Sequence, residues 1–328
     1  MDSTKTTEYR YLGKRALPVD EQDKLLGQLN FTGDLKIGGM LHVRLMLSPH
    51  PHARIISVDR TAAQALPGVV AVLTAEDLPT RDQVISSRMS AVLAKEKVLF
   101  EGQPVVAVVG ETVAAAQDGV EALEVAYELL PAIPNLDAAL SPESPILWPH
   151  GLPKDAIDVS ADHGGVEQQG TAESSEPSNI HTENKYARGD VEQGFQEADV
   201  VLERTYRIPA VHQGYLEPQI AVAAPEGSAG LVLYVSTQGP RTIRNEVARL
   251  LRLARSQVRV VPMPMGGGFG GKHGLLEPLV AAVAHLLHRP VRLELTRTED
   301  FLTSMPAPEH RIDLKMGVKQ DGQLCALE

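Results

Sequence analysis

The sequence predicts an α+β protein with two folded domains, and three observations support this fold class. Apolar and polar residues alternate over residues 39–47, which is the period of a strand with one buried face. A continuous apolar run at residues 104–109 is typical of a strand buried on both faces. Residues 275–287 form an apolar stretch of helical length, and Pro290 closes it. A chain of 328 residues is long enough for two such cores.

The predicted first domain covers residues 30–145 and follows an extended N-terminal arm, residues 1–29. Pro67 and Gly68 end its first helix. Thr112 is a suitable N-cap for the second helix, because its hydroxyl can accept a backbone N–H. The predicted elements are strands at 39–47, 54–59 and 69–73, a helix at 61–66, a strand at 104–109, a helix at 112–124 and a strand at 125–129.

A linker is predicted at residues 146–188, because residues 160–184 are rich in Ser, Gly, Glu and Gln and nearly lack large apolar side chains. The second domain occupies residues 189–328. Its predicted elements are strands at 200–208, 219–224 and 231–236, a helix at 240–253, a strand at 258–263, a helix at 275–287, a strand at 291–296 and a hairpin at 312–319 and 324–327. The chain stops within that hairpin, so we expect further structure to complete this domain.

Composition argues against several classes of function. The net charge of −11 argues against nucleic acid as a partner, because phosphate binding needs clustered Lys and Arg. No apolar run reaches the roughly 18 residues that cross a bilayer, and the polar start lacks a secretory signal, so we expect a cytoplasmic protein without a membrane partner. Cys325 is the single cysteine and cannot alone hold an iron–sulfur cluster or a structural zinc.

The main chemical signal is Met265-Gly-Gly-Gly-Phe-Gly-Gly-Lys-His273, here called the glycine loop. It lies between a predicted strand and a predicted helix. That arrangement presents backbone N–H groups and a helix N-terminus to an anion, and glycine lets a ligand approach the backbone closely. Three functional interpretations are open, beside a structural one in which the loop is a tight turn without a ligand.

The first functional interpretation is a nucleotide phosphate loop, with Lys272 in the lysine position. His273 then replaces the hydroxyl residue that binds Mg²⁺. The second is a dinucleotide fold, with Glu294 as the acidic residue on the next strand. Phe269, however, puts a large side chain inside that turn.

The third interpretation is a family resemblance. The glycine loop resembles the signature of the molybdenum-cofactor-binding subunits of the xanthine dehydrogenase and aldehyde oxidase family. Other segments resemble that family in the same order over residues 10–328, the linker excepted. They are Gly39-Met-Leu, Ser48-Pro-His-Pro-His-Ala-Arg-Ile, Leu66-Pro-Gly-Val-Val-Ala-Val-Leu-Thr, Phe100-Glu-Gly-Gln-Pro-Val-Val-Ala-Val, Gly189-Asp190 with Ala198-Asp199, His212-x4-Glu217-Pro218 and Thr237-Gln238 with Pro240. The resemblance implies an α/β-hammerhead domain followed by the first part of a molybdopterin-binding domain.

The resemblance also implies an activity. Such a subunit belongs to a molybdenum hydroxylase, which oxidatively hydroxylates a heterocycle or an aldehyde, a small molecule, with water as the oxygen source. The cofactor would be molybdenum on molybdopterin, in the cytosine dinucleotide form expected of bacterial relatives. FAD and [2Fe–2S] clusters would lie on partners, namely an FAD subunit and an iron–sulfur subunit. A second molybdopterin-binding chain is a further candidate partner.

By the same resemblance, Gln238 would hydrogen-bond an oxo ligand of molybdenum, and the backbone of Gly267, Gly268, Phe269 and Gly270 would contact the cofactor. Neutral, preorganised donors suit an anionic metal–oxo centre. The alternative for Gln238 is a cap for the helix that starts at residue 240. His273 stands where the purine-oxidising branch often has a glutamate, so it would suit another substrate, such as a carboxylated ring. The alternative for His273 is a solvent-facing residue at a helix start.

No residue is assigned as a metal ligand. His212 with Glu217, and His50 with His52, have suitable side chains, but the prolines beside them favour structural turns. The family's general base has no counterpart in this chain, so we expect the isolated chain to be inactive. Two rival functions stay open: a non-catalytic cofactor or scaffold subunit, and an NAD-dependent oxidoreductase.

Overall fold

The computed structural model describes residues 9–18, 20–80, 92–147, 179–180, 183–227 and 229–328. The helices are α1 (Glu21–Leu25), α2 (Thr61–Gln64), α3 (Val113–Glu121), α4 (Leu136–Leu140), α5 (Val191–Glu197), α6 (Pro240–Leu250), α7 (Glu277–Leu287) and α8 (Arg297–Thr303). The strands are β1 (Leu41–Leu47), β2 (Ala53–Asp59), β3 (Val69–Leu73), β4 (Lys97–Val98), β5 (Pro104–Gly110), β6 (Glu124–Leu129), β7 (Val200–Ile208), β8 (Ile220–Glu226), β9 (Gly230–Val235), β10 (Val258–Pro262), β11 (Val291–Glu294), β12 (His310–Val318) and β13 (Leu324–Leu327).

A seven-stranded sheet with the order β10-β9-β8-β11-β1-β5-β3 forms the centre of the fold. In it, β1 from the first half of the chain lies parallel to β11 from the second half, with Leu41 opposite Val291. One sheet therefore contains strands from both sides of the predicted linker. The domain limits drawn from the sequence stay a prediction.

The predicted periodicities explain which faces of this sheet are buried. Leu41, Val43 and Leu45 of β1 point into the core, whereas His42 and Arg44 are half-buried on the other face. Every residue of β5 is buried, as its continuous apolar run predicts. The apolar helix α7 packs on β8, β9 and β11, and α6 packs on β10. The largest buried cluster therefore lies between these two helices and the sheet.

Two three-stranded sheets flank the centre, with orders β4-β2-β6 and β13-β12-β7. In the second of these sheets, one face of β7 and β12 carries exposed apolar side chains. Tyr206 and Ile312, which pair across the two strands, are an example. The other face carries charged residues and contacts α5, where a Cβ on Gly317 would lie 3.1 Å from Phe195.

Several boundaries differ from the prediction. Helix α6 ends at Leu250 rather than residue 253, since Arg252 adopts a left-handed conformation with φ 55°. The arm is not wholly extended, because α1 forms within it. The pair Gly189-Asp190 starts a helix that the sequence prediction missed: the Asp190 side chain accepts the Gln193 N–H and caps α5. Most of the predicted linker lies outside the described residues.

Candidate functional site

Three chain segments meet at one edge of the central sheet. Strands β9 and β10 are parallel, so the residues that follow them, Gln238 and the glycine loop, lie side by side. Strand β8 is antiparallel to β9, so the segment that leads into β8, residues 212–219, starts at the same edge. Topology therefore places three of the sequence-predicted segments in one site.

The glycine loop has an unusual backbone. Gly267, Phe269 and Gly270 all have positive φ, at 99°, 48° and 87°. Phe269 is the informative member, because a non-glycine residue pays roughly 1–3 kcal/mol for this conformation. Its ring is also 74% exposed, so burial of the side chain does not offset that cost. A strained, exposed phenylalanine beside a sheet edge indicates a ligand site rather than a simple turn.

Gln238 is held by the loop. Its Oε1 accepts the backbone N–H of Gly270 at 2.9 Å, and that of Lys272 at a longer 3.5 Å. This contact assigns the orientation of the amide, and Nε2 makes no hydrogen bond to any part of the chain that the structure describes. A Cβ on Gly268 would lie only 2.7 Å from Oε1, so a side chain at this position would displace the amide of Gln238. The helix-cap alternative is wrong, because Gly239 is the N-cap of α6 and no side chain caps it.

Gly267, Gly268 and Phe269 provide the loop's available donors. Within the described residues, their backbone N–H groups make no hydrogen bond, whereas that of Gly271 donates to the carbonyl of Gly268. Gly270 faces open space, since nothing lies within 4 Å of where its Cβ would be. Within the described residues, the loop therefore offers unpaired, neutral donors: exposed in Phe269, half-buried in Gly267 and buried in Gly268.

The start of α7 is not part of this donor set. The carboxylate of Glu277 turns back and accepts the N–H groups of Leu275 and Leu276, at 2.8 and 3.0 Å. Glu277 is buried, and burial raises the pKa of its carboxyl. The sequence predicts that a helix N-terminus faces the ligand, but the two N–H groups just before α7 are already bound by Glu277.

Lys272 points inward, which rules out the nucleotide phosphate loop. Its side chain is fully buried, and Nζ lies 2.7 Å from Oε2 of Glu217 and 4.8 Å from the centre of the Tyr215 ring. A phosphate-loop lysine must reach out to the bound phosphates. This one is neutralised beneath the loop.

The dinucleotide interpretation also fails. In that fold, the strand after the glycine loop and its helix lies beside the strand before it. Here β10 and β11 are separated by β9 and β8, and β8 is antiparallel to both neighbours. Glu294 pairs with Arg292 on the same strand. The interpretation as an NAD-dependent oxidoreductase therefore loses its structural basis.

His273 lies beside the residue that follows Gln238. Its Nδ1 is 3.3 Å from where a Cβ on Gly239 would stand, and the residue is half-buried. The predicted solvent-facing helix start is wrong, since α7 begins only at Glu277. The structure therefore places His273 next to Gly239, the residue that follows Gln238.

His212 and Glu217 do not form a metal site. The Glu217 carboxylate is engaged by Lys272, and Nδ1 of His212 accepts the Gly214 N–H at 2.9 Å. His50 and His52 lie in the turn between β1 and β2, where His52 contacts the carbonyl of Pro131. No group of three metal-binding side chains occurs among the described residues.

In the part of the chain that the structure describes, no helix has the length and hydrophobicity to cross a membrane.

Sequence reasoning missed a buried network under the loop. Gln219 donates to the carbonyl of Gly271 at 2.8 Å and to the hydroxyl of Tyr215 at 3.1 Å. Tyr215 donates in turn to Asp300, which is fully buried and paired with Arg297. Burial, and then the charge of Asp300, raise the pKa of Tyr215 to about 12. Tyr215 and Gln219 flank the Glu217-Pro218 motif and could have been found there, whereas nothing in the sequence marks Asp300.

Comparisons with known proteins agree with this geometry. Residues 26–131 match the model of the aldehyde oxidase and xanthine dehydrogenase a/b hammerhead domain, and residues 172–328 match that of the molybdopterin cofactor-binding domain. These matches confirm the predicted order of the two folds.

Relatives give the same picture. The chain is 32% identical to the carbon monoxide dehydrogenase large chain of Hydrogenophaga pseudoflava, over 95% of this chain and 38% of the relative. It is 30% identical to the nicotinate dehydrogenase large molybdopterin subunit of Eubacterium barkeri, over 98% of this chain and 70% of the relative. The structure of quinoline 2-oxidoreductase from Pseudomonas putida superposes with a TM-score of 0.78 at 29% identity, over 96% of this chain and 38% of that one. The chain thus spans well under half of the first of these relatives and of that solved structure.

Proposed function

The chain belongs to the aldehyde oxidase and xanthine dehydrogenase family, and from that premise we propose that it is all or part of the molybdenum-cofactor-binding subunit of a molybdenum hydroxylase. The proposed reaction is the oxidative hydroxylation of a heterocycle or an aldehyde, with water as the oxygen source. The observation that carries the proposal is the glycine loop. Its donors that are unpaired within the described residues include those of exposed Phe269 and half-buried Gly267, and it holds the amide of Gln238 beside them.

The donor set fits an anionic metal–oxo pterin centre. Neutral donors that are fixed in advance stabilise negative charge without a change of protonation. We assign the N–H groups of Gly267, Gly268 and Phe269 and the Nε2 of Gln238 to this role. Gly270 contributes differently: its own N–H orients Gln238, and its missing side chain leaves room for the ligand. When bound, the molybdenum cofactor supplies the two-electron oxidation and the oxygen transfer.

The general base is assigned to a part of the enzyme outside this chain. Glu217 contacts the loop, and Glu277 follows it by four residues in the sequence. The carboxylate of Glu217 is paired with Lys272, and that of Glu277 accepts the N–H groups of Leu275 and Leu276. A base that activates water must reach the reacting atoms. This arrangement supports the expectation that the chain alone is inactive.

We further propose the cytosine dinucleotide form of molybdopterin, a cytoplasmic location, and partners that carry FAD and [2Fe–2S] clusters. A single cysteine supports the last point, because a [2Fe–2S] cluster needs four protein ligands. A second molybdopterin-binding chain is a further proposed partner. Residues 30–145 and 189–328 are retained as the proposed domains, joined by the proposed linker at 146–188.

For the substrate, we propose an aromatic ring that carries a carboxylate. His273 lies beside Gly239, next to Gln238 in the sequence, and a protonated imidazole there would attract an anionic substituent. The relative from Eubacterium barkeri is named for nicotinate, which is such a ring. Turnover of nicotinate-like and purine substrates by the assembled enzyme tests this point, and efficient xanthine turnover would contradict it.

The test of the proposed function is elemental and pterin analysis of the protein purified from its own source with its partners. We expect close to one molybdenum per complex, together with flavin and iron. A matched Gln238→Ala variant should keep the fold and lose turnover. Stable assembly without molybdenum would instead support the scaffold alternative.

A further inference from the structure

One oxygen atom closes the glycine loop from below. Oε2 of Glu217 accepts the backbone N–H of Gly266 at 2.9 Å, where the loop begins, and lies 2.7 Å from Nζ of Lys272, where the loop ends. It also accepts the hydroxyl of Ser236 at 2.5 Å, from the end of β9. Loop entry, loop exit and the neighbouring strand therefore converge on one carboxylate oxygen.

The backbone reinforces this closure. The Glu217 N–H donates to the Gly266 carbonyl at 3.2 Å, and a Cβ on Gly266 would stand 2.5 Å from the Cβ of Glu217. The carbonyl of Lys272 accepts the Gln238 N–H at 2.8 Å. Any shift of Lys272 is thereby passed to the residue whose amide faces the ligand.

We propose that Glu217 is a positioning residue, which sets the donor geometry of the glycine loop through Gly266 and Lys272. The inference rests on the proposed function insofar as the positioned ligand is the molybdenum cofactor. Glu217 does not face the open side of the loop, and its carboxylate pairs with the buried ammonium of Lys272 beneath that loop. The lysine charge is thus held away from the open side of the loop, so binding depends on the geometry of the loop amides.

A purely structural role makes a different prediction, and paired substitutions separate the two. In Glu217→Leu, a buried ammonium is left unpaired, so the melting temperature should fall. In Glu217→Leu/Lys272→Met, both charges are gone, and apolar replacements of buried ion pairs are often neutral for stability. The double variant should therefore recover most of the lost melting temperature, although the side-chain contacts of residue 217 with Gly266 and Lys272 are still absent.

The experiment is hydrogen–deuterium exchange of the full chain, followed on peptides covering residues 263–273, with molybdenum content measured in parallel. The control is Glu246→Leu/Arg249→Met, which removes another ion pair with a buried carboxylate, within α6. We expect exchange of the hydrogen-bonded loop amides, those of Gly270 and Gly271, to rise at least about tenfold in the Glu217/Lys272 double variant and to stay unchanged in the control. Molybdenum content should fall only in the former.

Recovery of both the melting temperature and the loop protection in the double variant would overturn the inference. A wild-type chain that carries no molybdenum in its own complex would contradict the proposed function. In that case the exchange comparison still decides whether Glu217 holds the loop.

Discussion

The tight contact between Gly268 and Gln238 allows a demanding test with a single methyl group. In Gly268→Ala, the new Cβ would lie 2.7 Å from Oε1 of Gln238, 2.9 Å from its Cδ and 2.9 Å from Sδ of Met265. Ordinary contacts of a Cβ begin near 3.4 Å, so the amide must retreat by about 0.7 Å. Its bond to the Gly270 N–H, now 2.9 Å, would then approach the limit of hydrogen bonding.

The expected loss has two parts. One weakened hydrogen bond costs about 0.5–1.5 kcal/mol of stability, a change of a few degrees in melting temperature at most. A displaced donor costs far more in activity, since removal of one preorganised donor typically lowers kcat by about 10²–10³-fold. We therefore expect turnover of the assembled enzyme to fall steeply while the fold is nearly unchanged.

The assay compares turnover, molybdenum content and melting temperature of Gly268→Ala with those of Gly38→Ala. Gly38 is a suitable control because nothing lies within 4 Å of its added Cβ and its φ is not positive. Combination with Gln238→Ala should add little further loss, because both changes remove the same donor. Turnover of Gly268→Ala within twofold of the control would refute this reasoning.

Three further predictions concern the loop, the network beneath it and the sheet. Phe269→Gly should raise the free energy of unfolding by about 1 kcal/mol, as measured by urea denaturation, because glycine removes a left-handed strain of roughly 1–3 kcal/mol and adds about 0.5–1 kcal/mol of chain entropy; a lower value than that of the wild type would show that the left-handed backbone is unstrained. The pKa of Tyr215 is raised to about 12 in the folded state, so the contribution of this tyrosine to stability is complete below pH 10 and is lost as the pH rises towards 12. Tyr215→Phe should abolish this alkaline loss of stability, and an unchanged loss would contradict the assignment. Leu41→Ala should cost about 2–5 kcal/mol and speed amide exchange in β11 as well as β1, whereas a change confined to β1 would show that the strands open independently.

Much of the secondary structure could be predicted from local pattern, because strand and helix periods are local properties. The alternation in β1 and the apolar run of β5 are examples. The partner of β1 could not be predicted, since β11 is remote in sequence and its apolar pattern fits several neighbours. Short helices such as α5 and α8 escaped notice because each has only 7 residues, too few for a clear period.

The candidate site shows the same division. Family resemblance marked Gln238 and the glycine loop, and parallel strands explain why they meet. The direction of the Lys272 side chain could not be predicted, because a glycine–lysine motif does not state whether the cation faces the ligand or the core. The answer depends on Glu217, a residue 55 positions away that the sequence presented as a turn. Glu277 is a similar case, because the sequence does not show that its carboxylate accepts the N–H groups of the two residues before it.

The pairing of β1 with β11 has a consequence for biosynthesis. Strand β5 can cover one edge of β1 once residue 110 has emerged from the ribosome, but the other edge waits for residue 294. At about 5–20 residues per second, those 184 residues (294 − 110) take roughly 10–40 s to synthesise. During that interval a strand with a strongly apolar face keeps an open hydrogen-bonding edge, the kind of surface on which nascent chains misassociate. Slow translation, a holding chaperone or early docking of a partner would therefore affect the yield of this protein more than its final stability.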